Sequence, residues 1–184
     1  CGNSLASGLP ISYSFTVYAQ LVGGTIGTAQ TICYNTLPAS FTNITSPAGG
    51  TALTYQWQKS PAGTGTWSNI TGATGLTFSE TTNLTASTDY RRVTTSGNSC
   101  GTAYSNIITV TVYPDLNAGA VGSPQSICYN TTPSTLSQTT APSGGTGTYT
   151  FQWQSSSDNS TFNNISGATS SSYSPGALTS TTYY

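Results

Sequence analysis

Side chains capable of chemistry are few and scattered in this chain of 184 residues. It holds four cysteines, three cations (Lys59, Arg91, Arg92), four carboxylates (Glu80, Asp89, Asp115, Asp158), and neither histidine nor methionine. Acid–base or nucleophilic catalysis needs a histidine, a paired carboxylate or an activated lysine. Glu80 and Asp89 are the nearest acidic pair, and Lys59 is the one lysine available for an isopeptide bond. Calcium would want several carboxylates together, which the sequence does not bring. Three cations cannot neutralise a useful number of phosphates, so neither nucleic acid nor an anionic membrane surface is expected as a partner. No apolar run is long enough to cross a bilayer as a helix, so no membrane insertion is expected. The cysteines remain. In a polar, hydroxyl-rich chain they suggest disulfides; the rival reading, a zinc site, lacks both a CxxC pair and a histidine.

The frame around these residues is written twice. TICYNTLPASFTNITSPAGGTALTYQWQ, residues 31–58, returns as SICYNTTPSTLSQTTAPSGGTGTYTFQWQ, residues 126–154. Cys33 corresponds to Cys128, Trp57 to Trp153, Trp67-Ser68-Asn69-Ile70 to Phe162-Asn163-Asn164-Ile165, and Tyr90 to Tyr184, at an offset of 94 to 96. Backwards, Cys100-Gly101 followed by IITVTVY is echoed by Cys1-Gly2 followed by ISYSFTVY. Self-similarity at such a period marks a tandem array. Residues 1–18 read as the last strand of a preceding repeat, 19–113 as a complete repeat and 114–184 as an incomplete one. What the second copy drops is the chemistry: Lys59 becomes Ser155, Glu80 becomes Pro175 and Asp89 becomes Tyr183. A site that one copy abandons is not the shared function, so the chain is not expected to be an enzyme or to carry a cofactor.

Within the complete repeat, the segments TICYN, ASFTNI, LTYQWQ, WSNI, LTFSE, DYRRVTT and NIITVTVY read as short strands separated by Gly, Pro, Ser and Asn. In the last, Ile108, Val110 and Val112 alternate with Ile107, Thr109, Thr111 and Tyr113. No window carries helical periodicity with capping residues. Seven short strands in about 95 residues predict an all-β chain of tandem immunoglobulin-like β-sandwich repeats. Trp57 and Trp153, on the third strand, are then core residues between two sheets, with a sugar-stacking platform as the rival reading. Tyr90 and Tyr184 stand where a tyrosine corner would sit.

The strings GTIGTAQTICYNT, YQWQKSPAGTGTWSNITGAT and STDYRRVTTSGNSC resemble the Ig-like repeats of very large cell-surface and gliding-associated adhesin-type proteins of Bacteroidota. The resemblance implies export to the cell surface, by the type IX route, and a role as adhesin or filament stalk; it brings no catalytic residue. An antibody-type domain has its second cysteine two residues after the corner tyrosine, but Arg92 occupies that place. Placing Cys33 on the first strand and Cys100 at the entry to the last leads us to expect a Cys33–Cys100 disulfide, with Cys1 and Cys128 bonded to repeats outside this sequence. The echo Cys100-Gly101 accounts for Cys1 without a lipid anchor.

The expected function is therefore a structural stalk or filament segment of an extracellular, cell-surface adhesin. The alternatives are a carbohydrate-binding module, with Trp67 and Phe162 stacking on glycans, and an accessory region of a secreted hydrolase. Two or more coplanar aromatics on one open face would favour the module. Expected partners are neighbouring repeats of the same protein, lateral or end-to-end copies of the chain, and a glycan or surface ligand held at a tip outside this sequence.

Overall fold

The computed structural model describes residues 13–97, 101–122 and 124–184. The described chain is all-β, with no helix, and its sheets are sandwich-like. It divides into two compact units. Unit 1 comprises Cys1–Thr28, Ser40–Ser79 and Asp89–Ile108; unit 2 comprises Ala29–Ala39, Glu80–Thr88 and Thr109–Tyr184.

In unit 1, β1 (Thr25–Ile26) pairs antiparallel with β3 (Asn43–Thr45). Opposite them run β4 (Thr54–Pro61), β5 (Ser68–Asn69), β6 (Thr88–Thr95) and β7 (Thr102–Tyr104), in the order β5-β4-β6-β7. The two long strands carry residues that favour extended backbone, Thr54, Tyr55 and Trp57 in β4 and Thr88, Tyr90, Val93, Thr94 and Thr95 in β6. On β6 the even positions Tyr90, Arg92 and Thr94 are fully buried, whereas Arg91 and Val93 face outward and are half-buried. The core between the layers is aromatic. Phe41 lies 4.6 Å from Tyr90, 5.7 Å from Trp57 and 6.0 Å from Phe78, between ring centroids. Offset and tilted contacts of this kind add to the apolar area each ring removes from water.

In unit 2, β2 (Gln30–Ile32) pairs parallel with β8 (Ile108–Val112), Gln30 opposite Val110 and Ile32 opposite Val112. The ladder is extended by the Tyr113 N–H, which donates to Ile32 O at 3.0 Å. Beside it, Val112 N–H donates to Ser87 Oγ. Alternation in β8 follows the expectation: Ile108 and Val110 are buried and Thr111 is exposed. The remaining strands of unit 2 are short antiparallel pairs, β9 (Ala120–Val121) with β10 (Gln138–Thr140), and β11 (Gln154–Ser155) with β12 (Asn163–Asn164).

Three expectations change in detail. Cys33 lies just past β2 rather than on the first strand, which is β1. The TAY triplet forms β7, too short to be read from pattern alone. LTFSE forms no strand and contributes a single bridge, Phe78 to Phe41. The reason is visible at its start: Leu76 O accepts Arg92 Nη1–H at 2.6 Å, and Gly75 O, just before the segment, accepts the Trp57 indole N–H at 2.9 Å, so backbone acceptors there are spent on side chains.

Candidate functional site

The core markers come first because they position everything else. Trp57 is completely buried; its backbone N–H donates to Ala73 O and its carbonyl accepts from Ile70. Trp153 repeats this with Ala168 and Ile165, and its indole N–H donates to Ser170 O at 2.9 Å. Gln56 and Gln152 brace the two tryptophans alike, each amide donating to its neighbour's carbonyl and to Ile70 O or Ile165 O. Tyr90 is buried against Phe41 and Phe78. Tyr184 is half-buried, 5.8 Å from Tyr173, which lies 5.9 Å from Trp153. Burial raises the Tyr184 hydroxyl pKa above its ordinary value, with Tyr173 adding to the effect. The bridges recur as well: Thr36–Leu84 and Phe41–Phe78 in the first copy, Thr131–Leu178 and Leu136–Tyr173 in the second.

Arg92 was missed as a structural residue. Its guanidinium is fully buried in unit 1 and is held by neutral oxygens: Asn43 Oδ1 at 2.8 Å, Leu76 O at 2.6 Å and Gly23 O at 3.2 Å. Its Nε has no hydrogen-bond partner. Desolvation lowers its pKa below the ordinary arginine value, the Tyr55 ring opposing the shift, but the group stays cationic at neutral pH because arginine starts so high. Gly23 can serve as an acceptor only because it lacks a side chain: a Cβ there would lie 2.2 Å from Tyr104 O. The signal was present in the sequence, since strict alternation in DYRRVTT must turn one of two adjacent arginines inward.

The other arginine organises the outer face of unit 1. Arg91 lies 4.2 Å from the Trp67 ring centroid and 4.1 Å from that of Tyr104, and its Nε–H donates to Gln58 Oε1 at 2.8 Å. Gln58 in turn donates to Asn69 Oδ1, a contact that Gln154 and Asn164 repeat in unit 2. Trp67 is half-buried, and Phe162, its counterpart, is 37% exposed.

The carboxylates hold turns. Glu80 Oε1 accepts the backbone N–H groups of Thr81 and Thr82. Asp89 Oδ2 accepts Gly63 N–H at 2.8 Å, securing the turn after β4. In the second copy a different residue does this work: Asp158 Oδ1 accepts from Thr161 N, Ser160 N and Ser156 Oγ within 2.9 Å. These bonds, Thr161 foremost, lower the Asp158 pKa to about 2. The loss of Asp89 at Tyr183 is thus compensated locally. Among the described residues no three His, Cys, Asp or Glu side chains gather as metal ligands.

Cys33 and Cys128 are exposed thiols, each with its carbonyl accepting the hydroxyl three residues on, Thr36 or Thr131. The pairing expected for Cys33 falls on Cys100, which with Cys1 lies outside the described residues. The remaining feature is a groove of about 680 Å³ in unit 2, bordered by residues 125–127 and floored by Leu136, Trp153, Leu178 and Tyr184.

A recurrent all-β frame with buried aromatic markers defines the class of protein. The chain belongs to the family described as a domain of unknown function, DUF8696, whose model matches residues 22–114 and again residues 117–184. No curated protein and no solved structure matches it. Among the described residues no helix is long and apolar enough to cross a membrane.

Proposed function

We propose that this chain is a load-bearing segment of an extracellular stalk or filament, of the kind found in cell-surface adhesins, built from tandem immunoglobulin-like repeats and without catalytic activity of its own. One observation carries the reading: β2, early in the repeat, and β8, at its end, are parallel neighbours. Tension transmitted along the chain pulls β2 toward its N-terminal end and β8 toward its C-terminal end. In a parallel pair those directions are opposed along the strand axes, so the ladder bonds are loaded together in shear instead of opening one at a time. The recurrence of packing contacts, alongside the loss of Lys59, Glu80 and Asp89 chemistry in the second copy, supports the same reading. The Cys33–Cys100 disulfide is not needed for it, and non-reducing peptide mapping decides that bond separately.

The carbohydrate-binding reading has less support. Trp67 and Tyr104 do not offer an open coplanar platform, because the Arg91 guanidinium stacks on both. A glycan array probed with the whole chain and with a Trp67→Ala variant distinguishes the two. Binding lost in the variant would favour the module. The stalk reading is tested by single-molecule pulling on tandem copies of the chain held at their ends. Discrete unfolding peaks, each releasing about 30 nm of contour for a repeat of this length, are expected; featureless extension contradicts the reading.

A further inference from the structure

We propose that Asn69 and its counterpart Asn164 are acceptors for N-linked glycans, each attached through Nδ2. The acceptor triplet Asn-X-Ser/Thr occurs at Asn43, Asn69, Asn83, Asn130, Asn159 and Asn164. In a chain so rich in serine and threonine the triplet alone carries little, but its surroundings sort these six. Only Asn69 and Asn164 stand at the same place in both copies. Asn43 is committed at both ends of its amide, Oδ1 accepting Arg92 Nη1–H at 2.8 Å and Nδ2–H donating to Ser46 Oγ at 3.1 Å.

Asn69 is placed the other way about. It lies in β5, which ends its sheet, and stands opposite Gln58 in β4. Its Oδ1 accepts Gln58 Nε2–H at 2.8 Å, and Asn164, opposite Gln154, accepts Gln154 Nε2–H at 2.9 Å in the same way. A planar amide anchored by its oxygen leaves its nitrogen over, and Nδ2 of Asn69 donates to no group among the described residues. Asn69 and Thr71, the hydroxyl residue that completes the triplet, are both exposed.

An aromatic ring precedes each of the two asparagines by two residues, Trp67 before Asn69 and Phe162 before Asn164. Residues at that spacing on an extended chain share a face. The contacts agree: Gln58, which holds Asn69, also accepts Arg91 Nε–H, and Arg91 stacks 4.2 Å from the Trp67 ring centroid. Asn43 has Phe41 at the same spacing, but Phe41 is buried in the core. Arg91 denies a free glycan an open platform, whereas a tethered sugar needs only the half-exposed remainder of the indole, because the tether supplies its effective concentration. The glycan also guards an edge. Exposed edge strands are commonly protected by charge, and β5, Ser68–Asn69, has none in a chain with three cations and four carboxylates.

The donor is an oligosaccharide carried on a polyprenyl diphosphate. A bond forms between Nδ2 and C1 of the first sugar, the bond from C1 to the diphosphate oxygen breaks, the polyprenyl diphosphate leaves, and the amide nitrogen gives one proton to a base of the transferase. The inference shares with the stalk reading only the export of the chain, so pulling and glycan mapping fail separately.

The test takes the whole chain from the cells that naturally make it, with intact mass spectrometry followed by electron-transfer fragmentation of chymotryptic peptides. A glycan is expected on Asn69 and on Asn164 and none on Asn43. Thr71→Ala, at an exposed position with no hydrogen bond of its own among the described residues, is expected to lose the glycan of Asn69 and keep that of Asn164, whereas Thr71→Ser keeps both. A chain bare at Asn69 and Asn164 overturns the proposal. So does a glycan that fragmentation places on the Thr71 or Ser166 hydroxyl, and so does one on Asn69 that survives Thr71→Ala.

Discussion

Replacing Arg92 by methionine separates two opposed effects at the centre of unit 1. The change removes a cation from a fully buried site, which by itself relieves a desolvation cost of several kcal/mol. It also strands Leu76 O, Gly23 O and Asn43 Oδ1, each of which now accepts from the guanidinium. An unpaired buried acceptor costs about 1–3 kcal/mol, and bonds from a charged donor are at the upper end. Three stranded acceptors outweigh the relieved desolvation, because the acceptors are two backbone carbonyls and a packed amide that cannot turn to water. We expect Arg92→Met to destabilise by about 3 kcal/mol, equivalent to a drop in Tm on the order of 10–20 °C for a unit of this size. Lysine, with a point charge in place of a planar fork, should recover part of this and lose about 1–2 kcal/mol. Arg91→Ala, removing a half-buried cation that stacks on Trp67 and Tyr104, should cost about 1 kcal/mol. Urea titrations followed by the fluorescence of buried Trp57 give these values. An Arg92→Met chain as stable as wild type, or more so, would refute the reasoning and mark the guanidinium as an electrostatic burden.

Three further outcomes follow from single residues. The Asp158 carboxyl should titrate near pH 2 in the folded chain by carbon-13 NMR, below the 3.8 of the unfolded group. Because its folded pKa is depressed, its contribution to stability is complete above pH 3.8 and disappears as pH falls through about 2; Asp158→Asn should flatten that acid dependence. Gly49→Ala and Gly144→Ala should each destabilise by about 2 kcal/mol or more, while Gly176→Ala should be nearly neutral in the same denaturation assay. The first two glycines have φ of 82° and 77°, and a Cβ there would lie 2.1 Å from Gln20 O or 1.8 Å from Asp115 O, whereas Gly176 has nothing within 4 Å. Trp57→Phe keeps a ring but loses the bond to Gly75 O and leaves a void, an expected cost of about 2–4 kcal/mol by the same titration.

What the sequence made legible was whatever repeats or alternates. Trp57, Trp153 and Tyr90 were readable as packing residues because aromatics at matching places in two copies fall where a sandwich fills the space between its sheets, and the β8 alternation placed Ile108 and Val110 inside. Side-chain capture of backbone was hidden. LTFSE has strand composition, yet the Arg92 guanidinium claims its first carbonyl and the Trp57 indole the carbonyl just before it, and no local pattern announces a partner many residues away. The exchange of Asp89 for Asp158 was equally hidden, because the two carboxylates support equivalent turns from different positions in the chain.

The shear pairing of β2 with β8 is the centre of this account, and one bond isolates it. Tyr113→Pro removes the N–H that donates to Ile32 O at 3.0 Å and leaves the partners of β4 and β6 intact. In single-molecule pulling through the ends of the chain, the account predicts a clearly lower unfolding force for the proline variant at an unchanged contour increment, since the same residues unravel from a weakened clamp. Equal forces in the two chains would contradict it, because load would then be carried elsewhere than along the parallel pair.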